Sequence, residues 1–196
     1  MGFALVAMSL CSMLVGPHNA NVLWTLIALP VPIIMAARLR NFVHWKLLGW
    51  CLLGAAAGLP LGVHVLAITE PDLLMRIFGG IILVIAIYYL LNPDVERQET
   101  SPMWGIHAGV LSGFLGGLSN MSGPPIALLV IMKGLKKNEM KGTMACYFLV
   151  TILYKIPLLV QEGGLLTFDH VFAAGILTIP VLLGVGGGMY AARFVS

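Results

Sequence analysis

The chain has 196 residues, of which 59% are hydrophobic and 10% charged, and its mean hydropathy is +0.97. A soluble domain carries about 25% charged residues, so the composition excludes a water-soluble globular protein and predicts a helical bundle in lipid. The net charge of +3 comes from basic residues in short loops, which does not indicate nucleic-acid binding. Cys11, Cys51 and Cys146 lack CxxC spacing and are predicted to be inert thiols, with no metal site.

Apolar runs separated by short polar loops predict an all-α, polytopic transmembrane bundle. The hydrophilic residues 92–101 are predicted to link a first transmembrane repeat, 1–91, to a second, 102–196. The first repeat is expected to be incomplete at its N-terminus, and for the second an incomplete C-terminus stays open. The two segments flanking residues 119–122 are each shorter than the roughly 20 apolar residues that a spanning helix needs. The predicted helical segments are Ala20–Ala37, Leu47–Ala67, Leu73–Leu91, Trp104–Leu118, Gly123–Met132, Thr143–Val160 and Val171–Ala192.

The two halves share a pattern. The stretch that begins Phe3-Ala-Leu-Val-Ala-Met is similar to Ile126-Ala-Leu-Leu-Val-Ile, and each leads through a polar turn into a span with a late proline. The next spans carry clustered glycines, at 58–62 in one half and at 184–188 in the other. The pattern predicts an internal repeat, which is common in secondary transporters, although chance similarity between two apolar sequences is the alternative.

Basic residues distinguish two topologies for the short segments Trp104–Leu118 and Gly123–Met132. If the two cross together as one broken span, the lysines at 133–141 lie opposite the basic residues at 38–46, against the positive-inside tendency. If they form a re-entrant hairpin, the basic loop residues lie with linker 92–101 in the cytoplasm, and Arg76 lies outside. The hairpin is therefore favoured; it leaves three full spans between the two copies of the short segment, which makes the repeats inverted.

The sequence Leu118-Ser-Asn-Met-Ser-Gly-Pro-Pro125 places polar groups and helix breakers inside an apolar stretch. Irregular backbone at membrane depth is tolerated only where protein or a water cavity satisfies it, which predicts a functional site. Pro124 and its neighbour suit the first turn of a helix, Ser122 is a candidate cap, and a helix N-terminus beginning at Gly123 suits an anion. Ser119, Ser122 and Asn120 are predicted to supply further donors. The alternative is an extramembrane loop of a helical hairpin.

Lys155 lies within an apolar span, where an unpaired charge costs a few kcal/mol or more. Two interpretations stay open: an anion-binding or coupling residue, or a snorkelling lysine beside a bend at Pro157. His18 and Asn19, with nearby Asn21, begin a span in the first repeat, as Lys141–Thr143 do in the second. They are candidates for a shared cavity, or simply helix caps.

No carboxylate lies inside a predicted span, and no nucleophile–base pair or carboxylate dyad is visible. The acidic residues all fall in predicted loops, which argues against a cation pathway or a carboxylate proton relay. The sequence therefore predicts neither an enzyme nor a cofactor.

Residues 109–129 (GVLSGFLGGLSNMSGPPIALL), with Lys141-Gly-Thr143 downstream, resemble the second repeat of the sulfite exporter TauE/SafE family. That repeat reads approximately G-x-x-S-G-x-x-G-x-x-x-G-x-G-G-P-P, followed by Arg-x-Thr. Trp45 and Gly58-Leu-Pro-Leu-Gly62 are similar to further family features. By this resemblance Gly123, Pro124, Pro125 and Thr143 carry over, Lys141 stands where Arg is usual, and Ser119–Ser122 replaces a glycine-richer break.

The resemblance implies a membrane transporter that moves sulfur-containing anions, such as sulfite or a sulfonate, across the bacterial inner membrane. The sequence thus predicts a secondary transporter working by alternating access, with the lipid bilayer and a small anion as its partners. A coupling proton or ion and homo-oligomerisation stay open. The alternative is a non-transporting membrane subunit or a fragment; a membrane enzyme is less favoured, because paired acidic or histidine groups at a membrane face are missing.

Overall fold

The computed structural model describes residues 11–91, 101–162 and 165–191, and within these ranges the chain forms helices joined by short connections. Residues 11–15 are helical, and a 3-10 turn covers Arg40–Phe42. The all-α prediction is therefore confirmed for the described part of the chain. The helices are α1 (Pro17–Ile27), α2 (Pro30–Leu39), α3 (Trp45–Ile68), α4 (Pro71–Leu91), α5 (Pro102–Ser119), α6 (Gly123–Met132), α7 (Lys137–Gln161) and α8 (Phe168–Ala191).

The predicted single helix over 20–37 is divided in the structure. Helix α1 ends at Ile27, and α2 begins at Pro30 after a two-residue turn. Pro30 and Pro32 both lack the backbone N–H that would continue the hydrogen-bond ladder of α1, and a proline also disfavours the α conformation in the residue before it. The break follows from these two effects acting within three residues.

Three helical units of the described chain are long and apolar enough to cross a membrane: Pro17–Phe42, Trp45–Ile68 and Lys137–Gln161. The first of these contains both α1 and α2. Helix α6 and the first part of α8 are apolar but shorter. The lengths of the three long units exceed the roughly 20 residues that a helix needs to cross a 30 Å hydrocarbon core. The membrane character inferred from composition is therefore matched by the helix lengths.

Helices α3 and α5 make the most extensive helix–helix contact among the described elements. Gly54, Gly58 and Gly62 recur every fourth residue on α3, so they form one stripe that faces α5. A Cβ built on Gly58 would lie 2.1 Å from the carbonyl oxygen of Val110. No larger residue fits there without moving a helix, so the glycine cluster at 58–62 serves close packing, as small residues do in membrane bundles.

Helices α3 and α5 run in the same direction, and α6 returns alongside them. Positions 109 and 117 on α5 lie against Cys51 and Leu59 respectively, so residue numbers rise together along the two helices. Ile126 and Val130 on α6 join a buried cluster with Cys51 and residues nearer the start of α3. The chain therefore doubles back between α5 and α6.

The first basic loop and the start of α7 are neighbours at one end of the bundle. The backbone N–H of His44 donates to Thr143 Oγ1 at 3.0 Å, and Gly142 packs against Leu39. At the other end, His64 near the end of α3 contacts Glu162 just after α7, with Nδ1 3.1 Å from Oε1. Helix α7 therefore also runs parallel to α3, and the residues that follow the α5–α6 hairpin begin at the end where α3 begins.

Candidate functional site

The break between α5 and α6 is a tight turn built on a left-handed asparagine. Asn120 has φ 58° and ψ 16°, a conformation that asparagine tolerates better than most residues. Its N–H donates to Gly116 O at 3.1 Å, and the N–H of Met121 donates to Leu115 O at 3.4 Å. These bonds satisfy carbonyl groups that the end of α5 would otherwise leave free. The turn aims the Asn120 side chain back into the bundle.

Lys155 of α7 lies at this turn and is 2% exposed. Its Nζ donates to Gly116 O at 2.7 Å, to Asn21 Oδ1 at 2.8 Å and to Asn120 Oδ1 at 2.9 Å. Three acceptors match the three protons of an ammonium group, whereas a neutral amine has two. The snorkelling interpretation is therefore wrong for Lys155, because the side chain ends inside the bundle on protein acceptors. All three acceptors are neutral oxygens, so none of them would cancel the charge of a protonated Lys155.

Asn21 and Thr25 of α1 complete the polar network around Lys155. Asn21 Nδ2 donates to Leu118 O at 2.8 Å, and Asn120 Nδ2 donates to the carbonyl oxygen of Asn21 at 2.9 Å. The Thr25 hydroxyl lies 2.8 Å from Asn21 O and 3.1 Å from Asn120 Oδ1. Asn21 and Thr25 are 0% and 1% exposed. The network therefore joins α1 in the first half of the chain to the α5–α6 break and α7 in the second.

A second hydrogen-bonded chain fixes the start of α6. Tyr147 OH donates to Ser112 Oγ at 2.9 Å, and Ser112 Oγ donates to the carbonyl oxygen of Ser122 at 2.5 Å. Tyr147 and Ser112 are both fully buried. Ser122 precedes α6, but its side chain makes no capping bond, contrary to the expected cap. The hydrogen bonds from α7 through α5 thus hold Ser122 in place, and Ser122 also lines the cavity described next.

A small cavity of about 20 Å³ lies between these two networks. A water molecule needs about 10–15 Å³ measured in the same way, so the cavity has room for about one water. One apolar residue of α3 and one of α7 form part of the cavity wall, and glycines of α5 form another part. Its lining residues are Leu59, Ser112, Gly113, Gly116, Asn120, Ser122, Thr151, Ile152 and Lys155. The cavity is therefore too small in this structure for a solute much larger than one water molecule.

The predicted residues of the break are only partly brought together. Asn120, Ser122 and Lys155 line the cavity, and Gly123 and Pro124 begin α6 directly beside it. Ser119 is buried, but its hydroxyl donates to Leu115 O at 3.0 Å within its own helix. Ser119 therefore stabilises the end of α5 and does not line the cavity.

Three other predicted residues lie away from the cavity. Thr143 is about 18 Å from Lys155 along α7, at a rise of 1.5 Å per residue, and accepts the N–H of His44. His18 Nε2 is 2.8 Å from Leu66 O and ties α1 to the end of α3. Asn19 is exposed, and its Oδ1 is 3.1 Å from His170 Nε2. Of the three polar residues near the start of α1, Asn21 is the one that reaches the site.

The site residues that sequence reasoning passed over carry a detectable signal. Polar side chains recur every fourth residue on two apolar helices, and residues spaced by four share one helix face. On α7 the series is Thr143, Tyr147, Thr151 and Lys155. On α5 the polar residue is Ser112; Asn120, eight residues later, directly follows the helix. Following these series from Lys155 and Asn120 would have found Thr151, Tyr147 and Ser112.

With the geometry in place, comparison with known proteins decides the family. The family model described as "Sulfite exporter TauE/SafE" matches residues 1–196. The chain belongs to this family. The description of this family model is that of an exporter.

A curated relative is described as "Probable sulfite/organosulfonate exporter TauE" from Cupriavidus necator. It is 24% identical to this chain over 148 residues, which cover 72% of this chain and 58% of the relative. The match thus spans somewhat more than half the length of that TauE/SafE protein. No solved structure matches the chain at a comparable level of significance.

Proposed function

We propose that the chain belongs to a secondary transporter that moves a small sulfur-containing anion, sulfite or a sulfonate, by alternating access. The observation that carries the proposal is the buried side chain of Lys155, whose Nζ is bound to three neutral oxygens beside a small cavity. A fixed positive charge in a site of low dielectric attracts an anion far more strongly than the same charge in water. The family of the chain and the description of its Cupriavidus relative agree with an oxyanion as the cargo.

Alternating access is supported by the small volume of the cavity. Space of about 20 Å³ cannot hold a sulfur oxyanion, so its walls must separate before an anion reaches Lys155. Those walls come from α3, α5, α7 and the α5–α6 break, and α1 is attached to them through Asn21. Movement of the first half against the second would open the site to one side of the membrane at a time.

The test of function is anion flux in proteoliposomes that contain the full-length protein, with sulfite, sulfonates and sulfate supplied separately. Lys155→Met removes the charge but keeps an unbranched side chain, and we expect it to abolish flux. Lys137→Met is the matched control, because Lys137 is exposed on the same helix. The proposal fails if the wild type carries none of these anions, or if Lys155→Met carries them as fast as Lys137→Met.

The re-entrant hairpin and the inverted repeats form the topological part of the proposal. The return of α6 beside α5, and the contact between His44 and Thr143, support a hairpin that brings both basic loops to one side. We place that side, with linker 92–101, in the cytoplasm of a bacterial inner membrane. Single cysteines at exposed Asn41 and Asn138, in a cysteine-free background, test this. Both should react with an impermeant thiol reagent from the same side; reaction from opposite sides rules the hairpin out.

A further inference from the structure

The outer surface of α3 carries a groove that plays no part in the anion site. Its volume is about 570 Å³, and its lining comes from the first half of α3. Near the start of the helix the lining residues are Trp45, Lys46, Gly49 and Trp50, and farther along they include Leu53 and Ala56. The groove thus has a basic and aromatic end and an apolar remainder.

The groove differs from the surface that α3 uses to pack against a helix. Toward α5, helix α3 presents Gly54 and Gly58, which let the two helix backbones touch. On the groove side Trp45 is 66% exposed and Leu53 is 62% exposed, and such bulky side chains keep another helix backbone at a distance. A flexible acyl chain can instead lie between them. This contrast favours a lipid over a second copy of the chain.

The charge around the groove selects the kind of lipid. Lys46 is exposed at the basic end of the groove, and two exposed arginines precede it in the chain: Arg38 near the end of α2 and Arg40 in the 3-10 turn. The first two turns of α7, which carry exposed Lys137 and Lys141, are adjacent to these arginines, because His44 is hydrogen-bonded to the residue at 143. Basic residues next to a membrane helix attract anionic lipid headgroups, and tryptophan is enriched at the depth of those headgroups.

We propose that this groove binds an anionic phospholipid, with its phosphate beside Lys46 and one acyl chain along Gly49, Leu53 and Ala56. The helix from Trp45 to Ala56 rises about 16 Å, which is about half of a 30 Å hydrocarbon core and fits one leaflet. The proposal requires only that the protein lies in a membrane, and it is independent of whether the protein transports sulfite.

Native mass spectrometry of the full-length protein, purified in detergent with added phosphatidylglycerol or phosphatidylcholine, tests the proposal. We expect phosphatidylglycerol to be retained in preference to phosphatidylcholine. Lys46→Gln should reduce that preference about fivefold, the effect of one basic residue near an anionic headgroup. The control is Arg76→Gln, which removes an exposed arginine from α4 and should leave the preference unchanged.

A second pair of variants fills the groove without changing charge. A Cβ built on Gly49 meets no atom within 4 Å, so Gly49→Leu is tolerated by the fold and occupies the groove. Gly79 of α4 is equally open, which makes Gly79→Leu the matched control. Gly49→Leu should displace the bound lipid, and Gly79→Leu should not. Equal lipid loss in both variants, no preference for phosphatidylglycerol, or dissociation of a dimer by Gly49→Leu with lipid retained would each overturn the proposal.

Discussion

Replacing Asn120 with aspartate tests whether the site works through its uncancelled positive charge. Asn120 Oδ1 lies 2.9 Å from Lys155 Nζ and 3.1 Å from the Thr25 hydroxyl. Aspartate has nearly the same shape as asparagine, so Asn120→Asp places a carboxylate beside the ammonium without a steric change. The net charge of the site falls from +1 to zero.

The expected effect on stability is small, because opposing contributions nearly cancel. At 2.9 Å and an effective dielectric constant of about 20, the new carboxylate and Lys155 attract each other by about 6 kcal/mol. Burying a carboxylate costs several kcal/mol, and losing the Asn120 Nδ2 donation to Asn21 O costs about 1–3 kcal/mol more. The folded protein should therefore remain.

The effect on anion binding is large. An anion bound against Lys155 would lie about 4 Å from the new carboxylate, since both residues line one cavity, and the repulsion is about 4 kcal/mol. That corresponds to about 1000-fold weaker binding. Asn120→Ala removes the same amide but keeps the charge of Lys155, so we expect its affinity to stay within about tenfold of wild type.

Both variants are compared with wild type by titration calorimetry with sulfite in detergent and by flux in proteoliposomes. Thermal unfolding of each variant confirms that the fold is retained. If Asn120→Asp binds sulfite as tightly as wild type, or if Asn120→Ala loses as much affinity as Asn120→Asp, then the charge of Lys155 does not drive binding and the reasoning is refuted.

Two further substitutions test the packing and the relay that support the site. Gly58→Ala puts a methyl group 2.1 Å from the Val110 carbonyl oxygen, so α3 and α5 must separate. We expect the free energy of unfolding to fall by about 1–3 kcal/mol. Gly79→Ala is the control and should not lower it, because a Cβ at Gly79 meets no atom within 4 Å. Tyr147→Phe removes the donor to Ser112 but leaves the bond from Ser112 to the α6 start, so denaturation should show a loss of about 1 kcal/mol and anion affinity should change little.

The extent of the helices was predictable because it follows from local sequence. Predicted segments 47–67 and 73–91 differ by a few residues from Trp45–Ile68 and Pro71–Leu91, and Gly123–Met132 agrees at both ends. Apolar runs and prolines act over one or two turns, so a reading of the chain detects them. The division between α1 and α2 was missed because prolines inside membrane helices are often tolerated, and here two of them fall within three residues.

The partners of Lys155 were less accessible to the sequence. Asn120 and Lys155 could be selected as polar residues in apolar surroundings, but Asn21 lies 134 positions before Lys155. Nothing in the local sequence of α1 shows that this helix packs against the α5–α6 break and not against another part of the bundle. His18 and Asn19 were chosen beside Asn21 because all three are polar, yet successive residues point in different directions around a helix. Only the packing of α1 against α5 and α7 shows that Asn21, and not His18 or Asn19, contacts Lys155.

Under the proposed function, the neutral acceptors would let a lysine be buried here and still bind an anion. A carboxylate partner would offset the cost of burial but would also neutralise the site and compete with any cargo. Two asparagine oxygens and the Gly116 carbonyl instead satisfy the protons of the ammonium and leave its charge in place. An incoming anion would replace Asn120 Oδ1 more easily than a main-chain oxygen, because the Asn120 amide keeps Thr25 as a partner. Losing the bond from Lys155 Nζ to Asn120 Oδ1 would loosen the link between α7 and the α5–α6 break. Anion binding and opening of the site would then be coupled at Asn120.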